Sequence, residues 1–539
     1  MPVNARKSEQ GFTMITTLLG TAVIAMLVLV AVTTVNGDVH QVRNDLSHKQ
    51  AYEAAKAGID DYAFHLRGNG NYWALCTEVA APSAVNQQGS TVNRRPVPGN
   101  TGAAYAIELI PAEGQSSCEV SHATTTMIET SGAMKGTFRI RSTGYAENSS
   151  ASITATFKTA SFLDYVYFTQ FETLDPITFG LTNATELENA YKQCELTRQQ
   201  GRYNQAIPGT SPPQKCEEIV FRSGDTINGP LHTNDAMAIC DSPVFGRNAS
   251  DVIEVSAIQS GSLKGWYSGN GCTGNPTFKG TYITGAPSLV PPATNKSLET
   301  IAEPQFRFSG QVQICLNGSS MTVASISASN KDCSQGVLYS GPIPANGLVY
   351  VKNSESGVCP STYSPFTATY PTTSYCGTAF VHGTYTGALT IATQNDIVLD
   401  ESVCRGSCSS PTGNGMLGLI ANNFVRIFHN YPSETLPTGE NHNPNCGSSS
   451  ETKVSNIVVD AAVLAINHSF IVDHYDCGTS LGTLTLHGAI AQKFRGPVGR
   501  GTPGYKKSYN YDDRLKYQEP PSFIEPEKLP WVIGRETIG

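Results

Sequence analysis

Three small groups of acids and histidines carry the spacing in this 539-residue sequence that suggests chemistry. Asp235 stands beside His232 and Asn234, Asp396 is followed by Asp400, and His474 lies between Asp473 and Asp476. Paired acids with a nearby base, gathered in one open groove, are what polysaccharide lyases and hydrolases need. One group protonates a leaving oxygen while another removes a proton or activates water. Each group also has a plainer reading. Asn-Asp pairs form turns because their short side chains bond back to the local backbone, and the DHYDC run ends a strand where a disulfide begins. Calcium is a third reading of the Asp-His cluster, but the carboxylates lack the regular spacing of a calcium loop. No nucleophile elbow, HExxH helix, phosphate loop or dinucleotide fingerprint occurs. The expectation is no catalytic residue, no metal and no cofactor, hence no enzyme. A glycan-active reading requires Asp396, Asp400 or His474 to meet in one open groove.

The cysteines point to a different chemistry. There are 14: Cys76, Cys118, Cys194, Cys216, Cys240, Cys272, Cys315, Cys333, Cys359, Cys376, Cys404, Cys408, Cys446 and Cys477. An even count, all beyond the N-terminal apolar run, reads as disulfides formed in an oxidising compartment. Connectivity does not follow from sequence. Pairing of sequence neighbours, Cys76 with Cys118, Cys194 with Cys216 and onward, is the default because it closes short loops. The CRGSC stretch has no second pair at zinc-ligand spacing.

Composition narrows the class. Net charge is −8, charged residues are 15 % and glycines number 50, with no basic run or basic-aromatic patch. The electrostatic footprint of a nucleic-acid binder is missing. Low charge with abundant Gly, Ser, Thr and Asn suits an extracellular β-rich protein, and the length allows two or three domains.

These residues need elements to hold them. Arg6 and Lys7 precede residues 12–37, which carry no charge. As helix that run covers about 39 Å at ~1.5 Å per residue, enough for a bilayer core of ~30 Å. The basic flank places the N-terminus in the cytoplasm and the rest outside. A cleaved secretion signal would be shorter and end in a small-residue site. Beyond it, Tyr52, Ala55, Ile59, Tyr62 and Leu66 fall at helical spacing, and Gly68 and Gly70 close the helix. The runs AAYAIELI, GTFRIRSTGYA and SITATFKTASFLDYVYF then alternate as strands.

The fold class expected is α+β: a long N-terminal helix over 12–67, a small α+β head over 68–165, and a polar helical insertion or linker over 166–216. A large mainly-β domain over 217–500 follows, and a Pro- and aromatic-rich strap over 501–539. In the large domain, short β runs recur every ~20 residues with Asn-Asp or Asn-Asn turns, the pattern of a right-handed parallel β-helix or solenoid. A β-sandwich is the alternative. Tyr509, Tyr511, Tyr517, Phe523 and Trp531 are expected to pack the strap back over the solenoid or its end.

The junction GFTMITTLLGTAVIAMLVLVAV resembles the processing site of type IV pilins and pseudopilins. That resemblance implies a leader over 1–11, cut by a prepilin peptidase after Gly11, with methylation of the new N-terminal Phe12. Most major pilins carry Glu where this sequence has Thr16. A buried carboxylate needs a partner, which in that family is the amine of a neighbouring subunit. A subunit at the tip has no neighbour ahead of it, so Thr16 fits a tip or priming role. The AYEAAKAGIDDYAFHL pattern resembles PilX-type minor pilins. The segments GDTINGPLHTNDAMAICDSPVF, LTIATQNDIVL and GAIAQKFRGPVG are similar to large bacterial pilus-assembly proteins with such an N-terminus.

The resemblance implies a minor component of a type IV pilus-like filament, presenting a disulfide-braced β-domain for assembly initiation or adhesion. Its implied partners are the prepilin peptidase, other major and minor pilins through the N-terminal helix, the cytoplasmic membrane before assembly, and a surface ligand. The precursor would cross that membrane once and the mature chain would reach the pilus or cell surface. Two alternatives stand beside it: a pseudopilin at the tip of a type II secretion system, and a membrane-tethered β-helix enzyme acting on glycans.

Overall fold

The computed structural model describes residues 10–69, 71–76, 94–99, 102–129, 136–181, 183–202, 205–211, 213–259, 264–269, 271–326, 333–359, 374–431, 434–435, 445–446, 451–516, 518–527 and 531–538. The chain divides into two compact units, Met1–Thr159 with Pro530–Gly539, and Ala160–Leu529. In sequence, the second unit interrupts the first.

The first unit is a helix on a sheet. Helix α1, Gln10–Gly68, buries Ala55, Ile59, Tyr62 and Leu66 of the 3.6-period stripe that the sequence shows, while Tyr52 of that stripe is half-buried and its neighbour Ala51 is buried instead. The stripe lies on an antiparallel sheet of β1 (Arg95–Pro96), β2 (Ala103–Ile110), β3 (Thr137–Ala146), β4 (Ser149–Thr159) and a C-terminal strand, Trp531–Ile538. Along β2 buried and half-buried residues alternate, so one face meets the helix. Two glycines set the approach of the layers. A Cβ on Gly144 of β3 would stand 1.9 Å from the Ala51 carbonyl oxygen, and one on Gly58 of α1 would stand 2.3 Å from Ser142 Oγ. No side chain fits at either place. Phe138 stacks on Phe157 at 5.1 Å within this core, and the Cys76–Cys118 disulfide closes its edge.

The second unit is built on parallel ladders. One runs, in spatial order, through Arg307–Ser309, Leu348–Lys352, Ala388–Thr393, Met416–Ala421, Val458–Ala465, Ser480–Phe494, Tyr167–Phe171, Leu231–Thr233, Val252–Val255 and Thr281–Thr284. A second joins Val312–Gly318, Ala379–Tyr385, Ile397–Arg405, Val425–Ile427 and Phe470–Val472, again in parallel. The strands therefore stack as rungs. An aligned sandwich of antiparallel hairpins does not give nine consecutive parallel pairings. The winding order departs from the chain order. It enters mid-ladder at Tyr167, winds one way to Thr284, crosses to the far end at Arg307, and winds back to Phe494.

Asparagines hold the crossing segment and the corners. The Asn295 amide donates to the carbonyls of Thr393 at 2.8 Å and Ile420 at 3.2 Å, while Asn422 Oδ1 accepts from the Asn295 N–H. Asn423 donates to Asn395 on the rung beside it at 2.7 Å. Stacked turn asparagines satisfy backbone groups that corners would otherwise leave unpaired.

Three sequence-based boundaries shift. The solenoid expected over 217–500 already holds Tyr167–Phe171 from the expected insertion over 166–216, and that strand is buried on both faces except for Gln170, so it lacks the alternation of a half-exposed strand. Within the insertion, Ala184–Cys194 is helical as expected. The expected strap over 501–539 divides. Gly504–Tyr511 is a rung between Ser480–Phe494 and Thr226–Asn228, with Tyr509 and Tyr511 buried, whereas Trp531–Ile538 completes the head sheet. Phe523 is buried in the second unit, and Tyr517 lies outside the described residues.

Candidate functional site

The N-terminal motif sits on α1. Gln10, Gly11 and Phe12 open the helix, while residues 1–9 of the leader lie outside the described residues. Thr16 is exposed on the same helix. Side chains of the 12–37 run are described for residues 14–30, about 26 Å of helix at ~1.5 Å per residue. Among the described residues, no helix is long and apolar enough to cross a membrane. What the described stretch does show is exposure. Met14, Leu18, Ile24, Met26, Leu29 and Val30 are each more than half exposed on this chain.

All 14 cysteines form disulfides, each between sequence neighbours: 76–118, 194–216, 240–272, 315–333, 359–376, 404–408 and 446–477. Seven bridges suit a compartment that keeps thiols oxidised.

Most of the sequence-nominated acids are buried structural groups. Arg426 donates through Nη1 to Asp396 at 3.1 Å and through Nε to Asp473 at 2.8 Å, and all three side chains are at most 1 % exposed. Asp235 pairs with the buried Arg202 and accepts from the backbone N–H groups of Glu172 and Arg198 at 3.1 and 2.9 Å. His232 bridges Glu254 at 2.8 Å and Asn234 at 3.0 Å, and Asn234 is itself anchored by the backbone of Leu289. His474 is fully buried, at a left-handed corner with φ 47°. Asp476 lies near Arg500 at 4.0 Å. Asp396, Asp400 and His474 therefore do not meet in one open groove. Among the described residues, no group of three His, Cys, Asp or Glu side chains is placed to hold a metal ion.

Asp400 alone reaches an open groove, in company that the sequence reading missed. The groove has a volume of about 590 Å³ and is lined by Thr384, Asp400, Glu401, Ser402, Phe428 and Lys453 among others. Asp400 Oδ1 accepts from His382 Nδ1 at 3.0 Å, and Oδ2 accepts from Gln313 Nε2 at 3.0 Å. Gln313 also donates to the Phe380 carbonyl at 3.3 Å, so both its amide hydrogens are used and the proton shared with Asp400 belongs to His382 Nδ1. The Asp400 hydrogen bond raises His382 above the ordinary imidazole range, against the opposing effect of burial, and the charges of Asp400 and Glu401 add to the rise.

A bulge creates this geometry. Val381 pairs with Leu399 and Gly383 with Val403, so Asp400, Glu401 and Ser402 together oppose His382 alone. Extra residues in one strand are pushed out of the ladder, which re-aims their side chains. Lys453, at the groove's other wall, is paired with Glu451. Burial would raise Glu451, but hydrogen bonds from Lys453 and Thr479 outweigh it and hold this carboxyl at about 2.

A sequence signal for the His382–Asp400 pair did exist. Ala-Phe-Val-His (379–382) and Ile-Val-Leu-Asp (397–400) are the same three-apolar, one-polar run on neighbouring rungs. Aligning the rungs would have placed the two polar residues side by side.

No protein-family model matches the chain, and no curated relative matches it. Among solved structures, the competence-associated pilin ComZ from Thermus thermophilus aligns over 92 % of this chain and 98 % of its own, at 13 % identity and a TM-score of 0.27.

Proposed function

We propose that this chain is a minor, tip or priming subunit of a type IV pilus-like filament, with a mechanical and interfacial role and no catalytic one. The observation that carries the reading is helix α1. Its C-terminal half packs on its own sheet, whereas residues 14–30 of the same helix expose a continuous apolar surface. Apolar surface of that extent needs cover, first by lipid and then by the helices of neighbouring subunits.

Three features support the assignment. The Gly11-Phe12 junction follows a short basic leader, the arrangement a prepilin peptidase acts on. Thr16 brings no carboxylate into a helix bundle, which suits a subunit with no neighbour ahead of it. Seven disulfides suit an exported chain. The stacked rungs are read as a right-handed parallel β-helix, carried on the head between Thr159 and Trp531 and presented outside the cell.

Mass analysis of the N-terminus from native cells, with and without the prepilin peptidase, tests this. The expected result is a mature chain beginning at N-methyl-Phe12 that disappears in the peptidase mutant. An uncut chain in both strains would make the helix a static anchor and overturn the reading.

A further inference from the structure

The groove beside Asp400 is a built site. Gln313 is fully buried beneath it and holds Asp400 in place, and the Gln313 carbonyl oxygen has no partner among the described residues. Phe428 joins Ile326, Phe380 and Val398 in an apolar cluster under the groove. Two disulfides fix its flanks: Cys408, bonded to Cys404, lines it, and Cys315, bonded to Cys333, is the rung partner of His382. Side chains on paired strands, braced from below and at both sides, keep their geometry without a ligand.

The lining chemistry selects a hydrogen-bond donor. Glu401 is exposed and has no ion-pair partner among the described residues, and Asp400 presents a second carboxylate. The cation in the wall, Lys453, is already neutralised by Glu451. Phosphate, sulfate or carboxylate ligands would meet like charge here. A metal ion would need a third ligand, and the described residues offer none. A bound peptide strand would need a regular free sheet edge, but Ile397–Leu399 is paired on both sides and the bulge breaks the ladder at Asp400–Ser402. Hydroxyls from Thr384 and Ser402 complete a surface that both gives and takes hydrogen bonds. About 590 Å³ falls within the ~300–1,000 Å³ range of small-molecule sites.

We propose that this groove binds an amino-saccharide, a segment of one or two sugar rings whose amine and hydroxyl groups donate to Asp400 and Glu401 and whose other hydroxyls meet Thr384 and Ser402. The inference stands on the groove alone and does not depend on the filament role. Binding is read on the purified chain whatever its N-terminus does in cells.

The test is calorimetric titration of the full chain, in detergent, with the β-1,4-linked disaccharide of glucosamine. Saturable one-to-one binding is expected, weakened about tenfold or more by Asp400→Asn and by Glu401→Gln, as fits the loss of a charge-assisted hydrogen bond. A disaccharide of galacturonic acid should not bind. Glu401 is exposed, so Glu401→Gln remains a folded test if Asp400→Asn disturbs the rung. Absence of saturable binding to the intact chain would overturn the proposal, as would binding that both variants leave unchanged. A tri-lysine peptide that binds through the same two acids while the disaccharide does not would also overturn it, in favour of a cationic peptide ligand.

Discussion

Trp531 meets Phe138 edge-on, with ring centroids 4.8 Å apart, although 392 positions separate them in the chain. The C-terminal strand thus closes the core that α1 and β2–β4 begin, and the whole second unit is spliced between β4 and its sheet partner. Trp531 also packs edge-on to Trp73 at 5.8 Å. Replacement Trp531→Ala should cost about 2–4 kcal/mol, toward the lower part of the range for aromatic truncation because the ring is only partly buried. Urea unfolding of the full chain, followed by a head-specific probe, checks this. A change below about 0.5 kcal/mol would remove the closing role.

The Gly144 contact predicts a sharper effect. Any Cβ there collides with the Ala51 backbone, so Gly144→Ala should separate α1 from β3 and prevent the head from forming. Brief treatment with a mild dithiol reductant followed by thiol titration gives the readout: the Cys76–Cys118 bridge of the variant should be reduced faster than in the parent chain, while the bridges of the second unit keep their parental rates. An unchanged rate at Cys76–Cys118 would show that the layers can shift apart at little cost.

Arg426 pairs with two buried carboxyl groups at once, and burial lifts one of them, Asp396, to about 8, so one cation faces one carboxylate at neutral pH. Arg426→Met should destabilise the second unit by about 3–5 kcal/mol, because Asp396 and Asp473 are left buried without their partner. Adding Asp396→Asn and Asp473→Asn to that variant should restore most of the loss. If the triple variant unfolds more easily than the single one in guanidinium, the carboxylates have roles beyond pairing with Arg426.

The His382–Asp400 pair gives a pH signature. An unfolded histidine titrates near ~6.5, and the folded value is higher, so the pair's stabilisation is fully present below ~6.5 and is lost as pH rises through the folded value. Asp400→Asn should bring the His382 midpoint down. Histidine proton chemical shifts recorded across the range in the full chain would show it; a wild-type midpoint at or below the ordinary value contradicts the geometry.

Loop length separates the disulfides. Cys76–Cys118 spans 42 residues and Cys404–Cys408 spans 4. On loop-closure entropy alone, removing the first pair as Cys76→Ser with Cys118→Ser should cost about 4 kcal/mol and removing the second about 2 kcal/mol. Equal losses in denaturant unfolding would mean that native-state contacts, not the unfolded chain, set the effect.

Local pattern alone determined several parts of this protein. Helix α1 and its stripe of Ala55, Ile59, Tyr62 and Leu66 follow from 3.6-residue spacing, and β2 follows from strict alternation, because each element is half exposed and must show its buried face in its own sequence. Asparagine corners were legible for the same reason, since they depend on nearby residues, whereas the cysteine pairing was only a default in the sequence and the structure supplied it. Tertiary structure decided the rest. Tyr167–Phe171 joins a ladder whose next rung is Ser480–Phe494, and Trp531–Ile538 returns to β4, pairings across hundreds of residues that no local period records. Asp396 and Asp400, four residues apart, end in opposite environments. The bulge opposite His382 turns one of them to the groove, and Arg426 takes the other into the core. A carboxylate's role is set by the charge and solvent around it, and here both are supplied by strands distant in the chain.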